Sequence, residues 1–234
     1  MNKLLNSVST FAVSCVTTAT VAVALWGASF SAQAQEIKGD AVAGKTKNAM
    51  CIGCHGMVGF QASFPEIHKV PKISGQGAKY IISALNAYKK GDRKHPTMRG
   101  VAESLSDQDM ADLAAYYSVH GVVEGATLAA KPSKEPSPQV AALLQKAACI
   151  SCHGENFAKP ISPDYPKIAG QHADYLYVAL KAYKTEGNPN IGRSNGVMAG
   201  MVKQFSNSEL KEIAKYVGSL DGDLKTVPQS SFHK

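Results

Sequence analysis

The stretch Cys51-Ile52-Gly53-Cys54-His55 occurs a second time in this 234-residue chain, as Cys149-Ile150-Ser151-Cys152-His153. Two cysteines three positions apart on a helical turn can add across the two vinyl groups of one porphyrin, and the adjacent histidine can then bind the iron from the same side. The pattern Cys-x-x-Cys-His is therefore typical of c-type haem attachment. We predict two covalently bound haem c groups, one on each copy.

The first 34 residues have the pattern of a cleavable export signal. Lys3 precedes an apolar stretch at residues 11–26, and Ala32-Gln33-Ala34 follows at the spacing that a signal peptidase recognises. A retained membrane anchor is the alternative, although serine and threonine interrupt the apolar stretch. We predict cleavage after Ala34 and a periplasmic location.

Beyond Ala34, every cysteine belongs to one of the two motifs, so none is left for a structural disulfide. In an oxidising compartment, two neighbouring thiols form a disulfide with each other unless another reaction uses them. Haem attachment is such a reaction, and the cysteine usage therefore agrees with the motif.

The formal net charge is +7, and basic and acidic residues are interspersed along the chain. This balance favours weak attraction towards acidic partner surfaces. Because no basic cluster contains interleaved aromatic residues, we predict no nucleic-acid site.

An internal repeat surrounds the two motifs. Residues 71–90 and 166–185 are identical at about twelve of twenty positions. Between the repeats, residues 121–137 are rich in Ala, Lys, Ser and Pro and lack apolar periodicity, which is typical of a linker. We predict a signal peptide at 1–34, a first domain at 35–121, a linker at 122–137 and a second domain at 138–234. The mature chain of about 200 residues is long enough for two small domains.

Helical patterns recur in both halves, and no strand pattern competes with them. Asp40 is a predicted N-cap for a helix that reaches Met50, and Ser137 followed by proline is the corresponding cap in the second half. Ser106 and Ser206 each have an acidic residue three positions later, which is the capping-box pattern. The predicted fold class is all-α.

A haem iron bound by histidine needs a sixth ligand to be closed, and methionine sulfur suits ferrous iron. Met98 and Met198 are the candidates, because each lies in a predicted loop before the last helix, eight residues ahead of its capping serine. Core packing is the alternative for a single methionine, but recurrence at one offset favours ligation. Met201, three residues after Met198, is the competing ligand in the second half, but its counterpart in the first half is Val101, which cannot ligate.

Together these features resemble the diheme cytochromes c of the cytochrome c4 family, over essentially all of the chain after the signal. The resemblance rests on three repeated motifs: C-x-x-C-H-G at Cys51 and Cys149, P-K-I-x-G-Q at Pro71 and Pro166, and M-x-G-x-x-x-x-[LF]-S at Met98 and Met198. It implies two tandem class I cytochrome c domains that arose by duplication and are related by a pseudo-twofold axis.

The resemblance also implies the ligands. His55 and Met98 would bind one iron, and His153 and Met198 the other. The carbonyls of Pro71 and Pro166 would accept a hydrogen bond from the ring N–H of His55 and His153; the alternative is that these prolines only end a loop.

Three further groups of residues carry weaker expectations. The hydroxyls of four tyrosines either reach haem propionates or belong to the core: Tyr80, Tyr88, Tyr175 and Tyr183. Histidines without a repeat partner are expected at the surface: His68, His95, His120, His172 and His233. The longer spacing from Tyr183 to Met198 predicts a flexible, turn-rich insertion in the second half.

The family implies an electron carrier and not an enzyme. It would take electrons from a respiratory quinol-oxidising complex or a dehydrogenase and pass them to a terminal oxidase or reductase. Its partners would be redox proteins, among them membrane-associated respiratory complexes, with no small-molecule substrate; docking at the membrane surface stays open.

Four other functions compete with this prediction. A diheme subunit of a larger oxidoreductase cannot be separated from a free carrier by sequence. A diheme peroxidase or thiosulfate-oxidising dehydrogenase needs a displaceable ligand position, which a methionine in both halves disfavours. Zinc binding and thioredoxin-like exchange are disfavoured by the wide separation of the cysteine pairs and by the lack of an α/β pattern.

Overall fold

A computed structural model of the chain describes residues 37–228, so the predicted signal peptide and its cleavage site lie outside the described residues, as does His233. The helices of the first half are α1 Ala41–Lys47, α2 Ala49–His55, α3 Ala78–Lys90, α4 Pro96–Glu103 and α5 Asp107–Val119. Those of the second half are α6 Pro138–Lys146, α7 Ile150–His153, α8 Ala173–Ala182, α9 Gly196–Lys203 and α10 Asn207–Ser219. Four two-residue strands accompany them: β1 Gln61–Ala62, β2 His68–Lys69, β3 Arg93–Lys94 and β4 Gly192–Arg193.

Polar caps begin the helices as the sequence predicts. The Asp40 carboxylate accepts the N–H groups of Val42 and Ala43 at the start of α1. Ser106 and Ser206 form complete capping boxes at the starts of α5 and α10. With strands of only two residues each, the described part of the chain confirms the all-α prediction.

The predicted single helix from Asp40 to Met50 is wrong in one respect. The helix is interrupted at Asn48, whose carbonyl accepts the N–H groups of Cys51 and Ile52 and so begins α2. Asparagine has a low intrinsic helix propensity, which favours a break at this position. The first cysteine motif therefore lies on its own short helix.

Buried apolar side chains form two separate clusters, one in each half. The first is built on α5 and contains Ile81, Leu105, Met110, Leu113, Ala114, Tyr116 and Tyr117. The second is built on α6 and α10 and includes Leu143, Leu144, Phe157, Phe205, Leu210, Ile213 and Val217. Cys51 packs against the first cluster and Cys149 against the second, so each haem-attachment motif adjoins its own core.

In the first half, α1 crosses α5 at close range. A Cβ at Gly44 would collide with the carbonyl of Asp112, so only glycine permits this approach. The buried Asp112 carboxylate accepts hydrogen bonds from Lys47 Nζ at 2.7 Å, Asp40 N–H at 2.8 Å and Gln108 Nε2 at 2.8 Å. The hydrogen bond from Lys47, followed by that from Asp40, holds the pKa of Asp112 below its usual value.

The two halves meet along several polar contacts. The short strands β3 and β4 pair in antiparallel fashion, with Arg93 opposite Arg193. Ion pairs join Lys69 to Asp174 and Lys181 to Glu66. The final segment returns to the first half, where the N–H of Lys225 donates to the carbonyl of Ser74 at 2.9 Å.

The turn-rich insertion predicted before Met198 takes part in this contact. It contains β4, and the N–H of Ser194 donates to the carbonyl of Asp92 in the first half at 2.8 Å. Lys94 Nζ also donates to the carbonyl of Asn188 within the insertion. The predicted looseness of this segment therefore has to be revised, because inter-half hydrogen bonds hold it.

Candidate functional site: two haem-attachment centres

The two cysteine motifs each lie on a helical turn. Cys51, Cys54 and His55 belong to α2, whereas Cys149 is the residue before α7 and precedes Cys152 and His153 in that helix. All four cysteines are unbonded and half-buried. Burial raises the pKa of Cys51 and of Cys149 to about 11.

A proline carbonyl lies beside each motif histidine. The Nδ1 atom of His55 is 2.7 Å from the carbonyl oxygen of Pro71, and that of His153 is 3.1 Å from the carbonyl oxygen of Pro166. Because a carbonyl only accepts, Nδ1 carries the proton and Nε2 keeps its lone pair. Burial lowers the pKa of both histidines, while the proline hydrogen bond opposes the shift. A neutral imidazole with its proton on Nδ1 binds a metal through Nε2.

A cavity of about 480 Å³ opens beside the second motif and is lined mainly by apolar atoms. Its walls include Cys149, Cys152, His153, Met198 and Met201. This volume lies within the range of cofactor sites, and its donor set of two thiols, an imidazole and thioethers is that of a c-type haem. The site therefore fits a haem c.

Two buried polar atoms mark the corresponding region of the first half. Asn48 Nδ2 and Tyr117 Oη have no hydrogen-bond partner among residues 37–228. The pKa of Tyr117 is raised, mainly by burial and secondly by the Cys51 thiol. Unpartnered polar atoms in a native interior call for an explanation, and a bound group next to Cys51 supplies one.

The two candidate methionines occupy equivalent positions, but in helices and not in the predicted loops. Met98 is the third residue of α4 and Met198 the third residue of α9. The side chains of His95 and Asn195 cap the N–H of these methionines at 3.4 and 3.0 Å. The prediction failed because these capping residues, with Pro96 at the first helical position, begin a helix that the sequence analysis overlooked. Met201 lines the same cavity as Met198, so the cavity by itself leaves the choice between them open.

Two arginines that the sequence analysis missed lie between the tyrosines. Arg93 Nη2 donates to the hydroxyl of Tyr80 at 2.9 Å, and Arg193 Nη2 donates to that of Tyr175 at 3.1 Å. Arg93 also lies over the Tyr88 ring and Arg193 over the Tyr183 ring, at 5.7 and 5.4 Å from the centroids. The sequence repeat could have identified both arginines, because each precedes its candidate methionine ligand by five residues.

The arginines and three of the tyrosines border the cavity of the second half. Arg93, Arg193, Tyr80, Tyr175 and Tyr183 all line it. Burial alone raises the pKa of Tyr175, but the guanidinium groups of Arg193 and Arg93 outweigh burial and lower it. Two guanidinium groups therefore line this cavity, whose walls also include Asp92 and Asp164.

One of the unpaired histidines is not at the surface. His68 is 4% exposed, and its Nδ1 lies 2.8 Å from the carbonyl of Glu66. The prediction failed because β2 places this ring against Tyr175 of the other half, at 6.2 Å between centroids. His95, His120 and His172 are half-buried.

Comparison with known proteins gives the family. The family model for cytochrome c matches residues 39–118 and 139–221. Cytochrome c4 of Azotobacter vinelandii is 32% identical over 196 residues, which span 78% of this chain and 90% of that protein. The structure of reduced recombinant cytochrome c4 from Pseudomonas stutzeri aligns with a TM-score of 0.57 and 30% identity, over 78% of this chain and 100% of that chain. A thiosulfate dehydrogenase electron acceptor of Stutzerimonas stutzeri is 27% identical over 201 residues, 81% of this chain and 89% of that protein.

Each segment matched by the family model contains one Cys-x-x-Cys-His motif. The chain binds two haem c groups covalently, and it is an electron-transfer protein and not an enzyme. It belongs to the cytochrome c family, as a diheme cytochrome of the cytochrome c4 type.

Proposed function

We propose that His55 and Met98 are the axial ligands of one iron, and His153 and Met198 those of the other. The four cysteines would form the thioether bonds: Cys51, Cys54, Cys149 and Cys152. The observation that carries this assignment is the cavity whose walls include His153, Met198, Met201 and both cysteines of the second motif. The repeat selects Met198 over Met201, because the first-half counterpart of Met201 is Val101, which cannot ligate. The equivalent helical positions of Met98 and Met198 extend it to the first half.

When bound, haem c supplies an iron couple that takes up and releases one electron. The residues of the chain set the conditions for that exchange. Pro71 and Pro166 fix the tautomer and orientation of the histidines, methionine sulfur favours the ferrous state, and the apolar cavity wall keeps water out. With a histidine and a methionine as its protein ligands, the iron would leave no position open to a substrate, which suits electron transfer.

We propose that Arg93 and Arg193 neutralise the carboxylates of the haem propionates. Neither guanidinium takes part in any ion pair between residues 37 and 228, although both are half-buried and line the cavity. A desolvated guanidinium without an anion is costly. The propionates of a haem in this cavity would supply such anions.

Two domains at 35–121 and 138–234, joined by a linker at 122–137, remain our proposed division of the chain. The two separate cores support it, as do the two segments matched by the family model. The linker lies against the second half. Asn156 Nδ2 donates to the carbonyl of Ala129, and the Tyr216 hydroxyl donates to the carbonyl of Lys134.

We propose that the protein works in the periplasm as a carrier between a quinol-oxidising complex or dehydrogenase and a terminal oxidase or reductase. The export pattern of residues 1–34 supports the location. No helix within residues 37–228 is long and apolar enough to cross a membrane. The positive net charge supports attraction towards acidic partner surfaces.

An apolar surface beside the first motif supports transient docking. Met50, Met57, Val58 and Phe60 are 55%, 44%, 77% and 40% exposed and lie on or just after α2. Electron-transfer complexes use small, weak interfaces, and exposed apolar patches mark interaction sites. We call these four residues the α2 patch and propose that a redox partner contacts it.

A thiosulfate dehydrogenase is a second candidate for the electron donor, since a protein named as the electron acceptor of such an enzyme is 27% identical over most of this chain. The reduction of this protein by a thiosulfate dehydrogenase with thiosulfate, followed by stopped-flow absorbance, tests this donor. Reduction faster than by a quinol-oxidising complex would identify the dehydrogenase as the donor, and no reduction would exclude it.

Reconstitution tests the carrier itself. Washed membranes that hold a quinol-oxidising complex and a terminal oxidase should regain quinol-dependent oxygen uptake when catalytic amounts of the purified protein are added, because each molecule shuttles repeatedly. Recovery of the protein only in a fixed stoichiometry with an oxidoreductase, without restored uptake, would establish the alternative of a diheme subunit.

A further inference from the structure

Two buried glutamines connect the halves in a reciprocal manner. Gln171 of the second half accepts the N–H of Lys72 at 2.9 Å and donates to the carbonyl of Lys72 at 2.8 Å. Gln76 of the first half accepts the N–H of Lys167 at 3.0 Å and donates to its carbonyl at 2.9 Å. Each glutamine therefore holds both backbone polar groups of one lysine in the opposite half.

The peptide group that each glutamine contacts is the one that holds the axial histidine. The carbonyl of Pro71 and the N–H of Lys72 belong to a single peptide unit, since Lys72 follows Pro71. His55 donates to that carbonyl, and the N–H of the same unit donates to Gln171. An unbroken hydrogen-bonded chain thus runs from His55, through one planar amide, to a side chain of the other half.

An equivalent hydrogen-bonded connection runs from the second half to the first. His153 donates to the carbonyl of Pro166 at 3.1 Å, and the N–H of Lys167 in the same peptide unit donates to Gln76. The two connections cross, because the glutamine of each half contacts the histidine-bearing peptide of the other half.

Both glutamine amides are fixed in orientation. Gln76 is 5% and Gln171 4% exposed. In addition to the lysine N–H, each Oε1 accepts the N–H of the following residue, Gly77 or His172, at 2.9 and 3.0 Å. Two N–H donors at Oε1 and one carbonyl at Nε2 exclude the flipped amide.

The glycine before each glutamine makes this approach possible. Gly75 and Gly170 have φ angles of +83° and +69°, the left-handed region that glycine adopts without strain. A Cβ at Gly75 would lie 2.5 Å from the carbonyl of Asp223, and one at Gly170 would lie 2.9 Å from that of Leu220. The Gly-Gln pair of the repeated P-K-I-x-G-Q motif therefore forms a turn that places the glutamine side chain against the opposite half.

We propose that Gln171 tunes the axial histidine of the first half and Gln76 that of the second, so that each half sets the electron affinity of the other through one amide. This rests on the proposed function, in which His55 and His153 bind iron. Gln76 and Gln171 are positioning residues in this scheme, since they act on the iron only through a proline–lysine peptide.

The direction of the effect follows from the polarisation of the amide. An acceptor at the N–H increases the negative charge on the carbonyl of the same unit, because hydrogen bonds in a chain strengthen one another. A stronger acceptor at Nδ1–H makes the imidazole a better donor to iron and favours the ferric state. Loss of the glutamine therefore raises the reduction potential of the haem in the opposite half.

The test compares Gln171→Leu with Gln76→Leu in the haem-loaded protein. Each variant removes two inter-half hydrogen bonds, so general loosening of the interface affects both alike. Redox titration resolves the two couples, and Met98→His assigns them to the halves, since a second imidazole lowers the potential of that haem alone. In the reduced protein, nuclear magnetic resonance follows the Nδ1–H protons of His55 and His153 separately.

We expect a crossed result. Gln171→Leu should favour reduction of the first-half haem about threefold to tenfold, which is about 30 to 60 mV at 59 mV per decade for one electron, and should move only the His55 Nδ1–H signal upfield. Gln76→Leu should do the same to the second-half haem and to His153. If either leucine variant fails to fold, Gln171→Asn and Gln76→Asn keep an amide that is one methylene too short, and should shift the couples in the same crossed pattern.

Equal shifts of both couples, or unchanged histidine signals, would overturn the inference while leaving the diheme carrier intact. A wild-type protein without two one-electron couples would instead overturn the proposed function. The two failures are therefore distinguishable in the same set of titrations.

Discussion

Arg93 and Arg193 are direct partners in the β3–β4 ladder, which places two guanidinium-bearing residues opposite each other where the halves meet. Each donates to a tyrosine of its own half, Tyr80 or Tyr175. Two positive charges in one place repel each other unless anions lie between or beside them. This relationship is the basis for assigning the haem propionates to the arginine pair.

Removal of one arginine should lower the reduction potentials, because a positive charge beside the haem disfavours the more positive ferric state. For Arg193→Leu we expect a loss of about tenfold in the reduction equilibrium, about 59 mV, at the haem in the second half. The measurement is a redox titration at pH 7. Arg99→Leu is the matched control, since it removes the same charge from an exposed site in α4 paired to Glu103; an equal shift in the control would reject the propionate assignment.

Met198→Ala should abolish the near-infrared sulfur-to-iron band of the second haem and open that iron to carbon monoxide, because the sixth ligand is lost. Met201→Ala should leave both properties unchanged, although Met201 lines the same cavity. Near-infrared absorbance of the oxidised protein and carbon monoxide binding by the reduced protein give the answer. The opposite outcome would transfer the ligand role to Met201.

Asp112→Asn should destabilise the first half by about 1–3 kcal/mol at pH 7, because it weakens charge-assisted hydrogen bonds to Lys47 and Asp40. The pKa of Asp112 is lower in the folded protein than in the unfolded chain. Its contribution is therefore present above the unfolded value of about 3.9 and is lost as the pH falls through the folded value. Thermal unfolding from pH 7 down to pH 2 should show a smaller loss of stability for the variant than for the wild type.

The control for this prediction is Glu212→Gln, at the matching position of α10. Glu212 forms a partly exposed pair with Lys215, and such pairs contribute about 0–1 kcal/mol. A loss of stability equal to that of Asp112→Asn would mean that burial of the Asp112 network has no special role.

Val58→Asp should slow electron exchange with the redox partner by about tenfold, because it places a charge within the apolar α2 patch. The reduction potentials should stay the same. Stopped-flow rates against partner concentration measure the effect. Val123→Asp, at a comparably exposed site of 68% in the linker region, is the control, and an equal slowing there would show that net charge and not the patch governs docking.

The sequence predicts well what depends on neighbouring residues. The caps at Asp40, Ser106, Ser137 and Ser206 are local hydrogen-bond patterns, and all four are present in the structure. The repeat predicts that the two halves share one set of helices, with an insertion in the second. The helix that contains Met98 was missed because its cap is a histidine, whose ring replaces the usual serine or aspartate.

Contacts between the halves could not be predicted from the sequence, because they depend on the relative orientation of the two repeats. Arg193 lies in an insertion that looked flexible, and its partner in β3 is known only from the paired structure. Gln76 and Gln171 stand in a motif that the resemblance already used, yet their bonds to Lys167 and Lys72 cross the interface. Burial of His68 has the same origin, because its ring meets Tyr175 of the other half.

The central claim is that the chain holds two closed, one-electron centres with histidine and methionine on opposite sides of each iron. A spectropotentiometric titration of the purified wild-type protein, which records the visible and near-infrared spectrum at each potential, tests it most directly. We predict two one-electron steps, a low-spin spectrum throughout, and a sulfur-to-iron band whose intensity accounts for both haems in the fully oxidised protein. A five-coordinate high-spin signal, or a sulfur-to-iron band that accounts for one haem only, would contradict it.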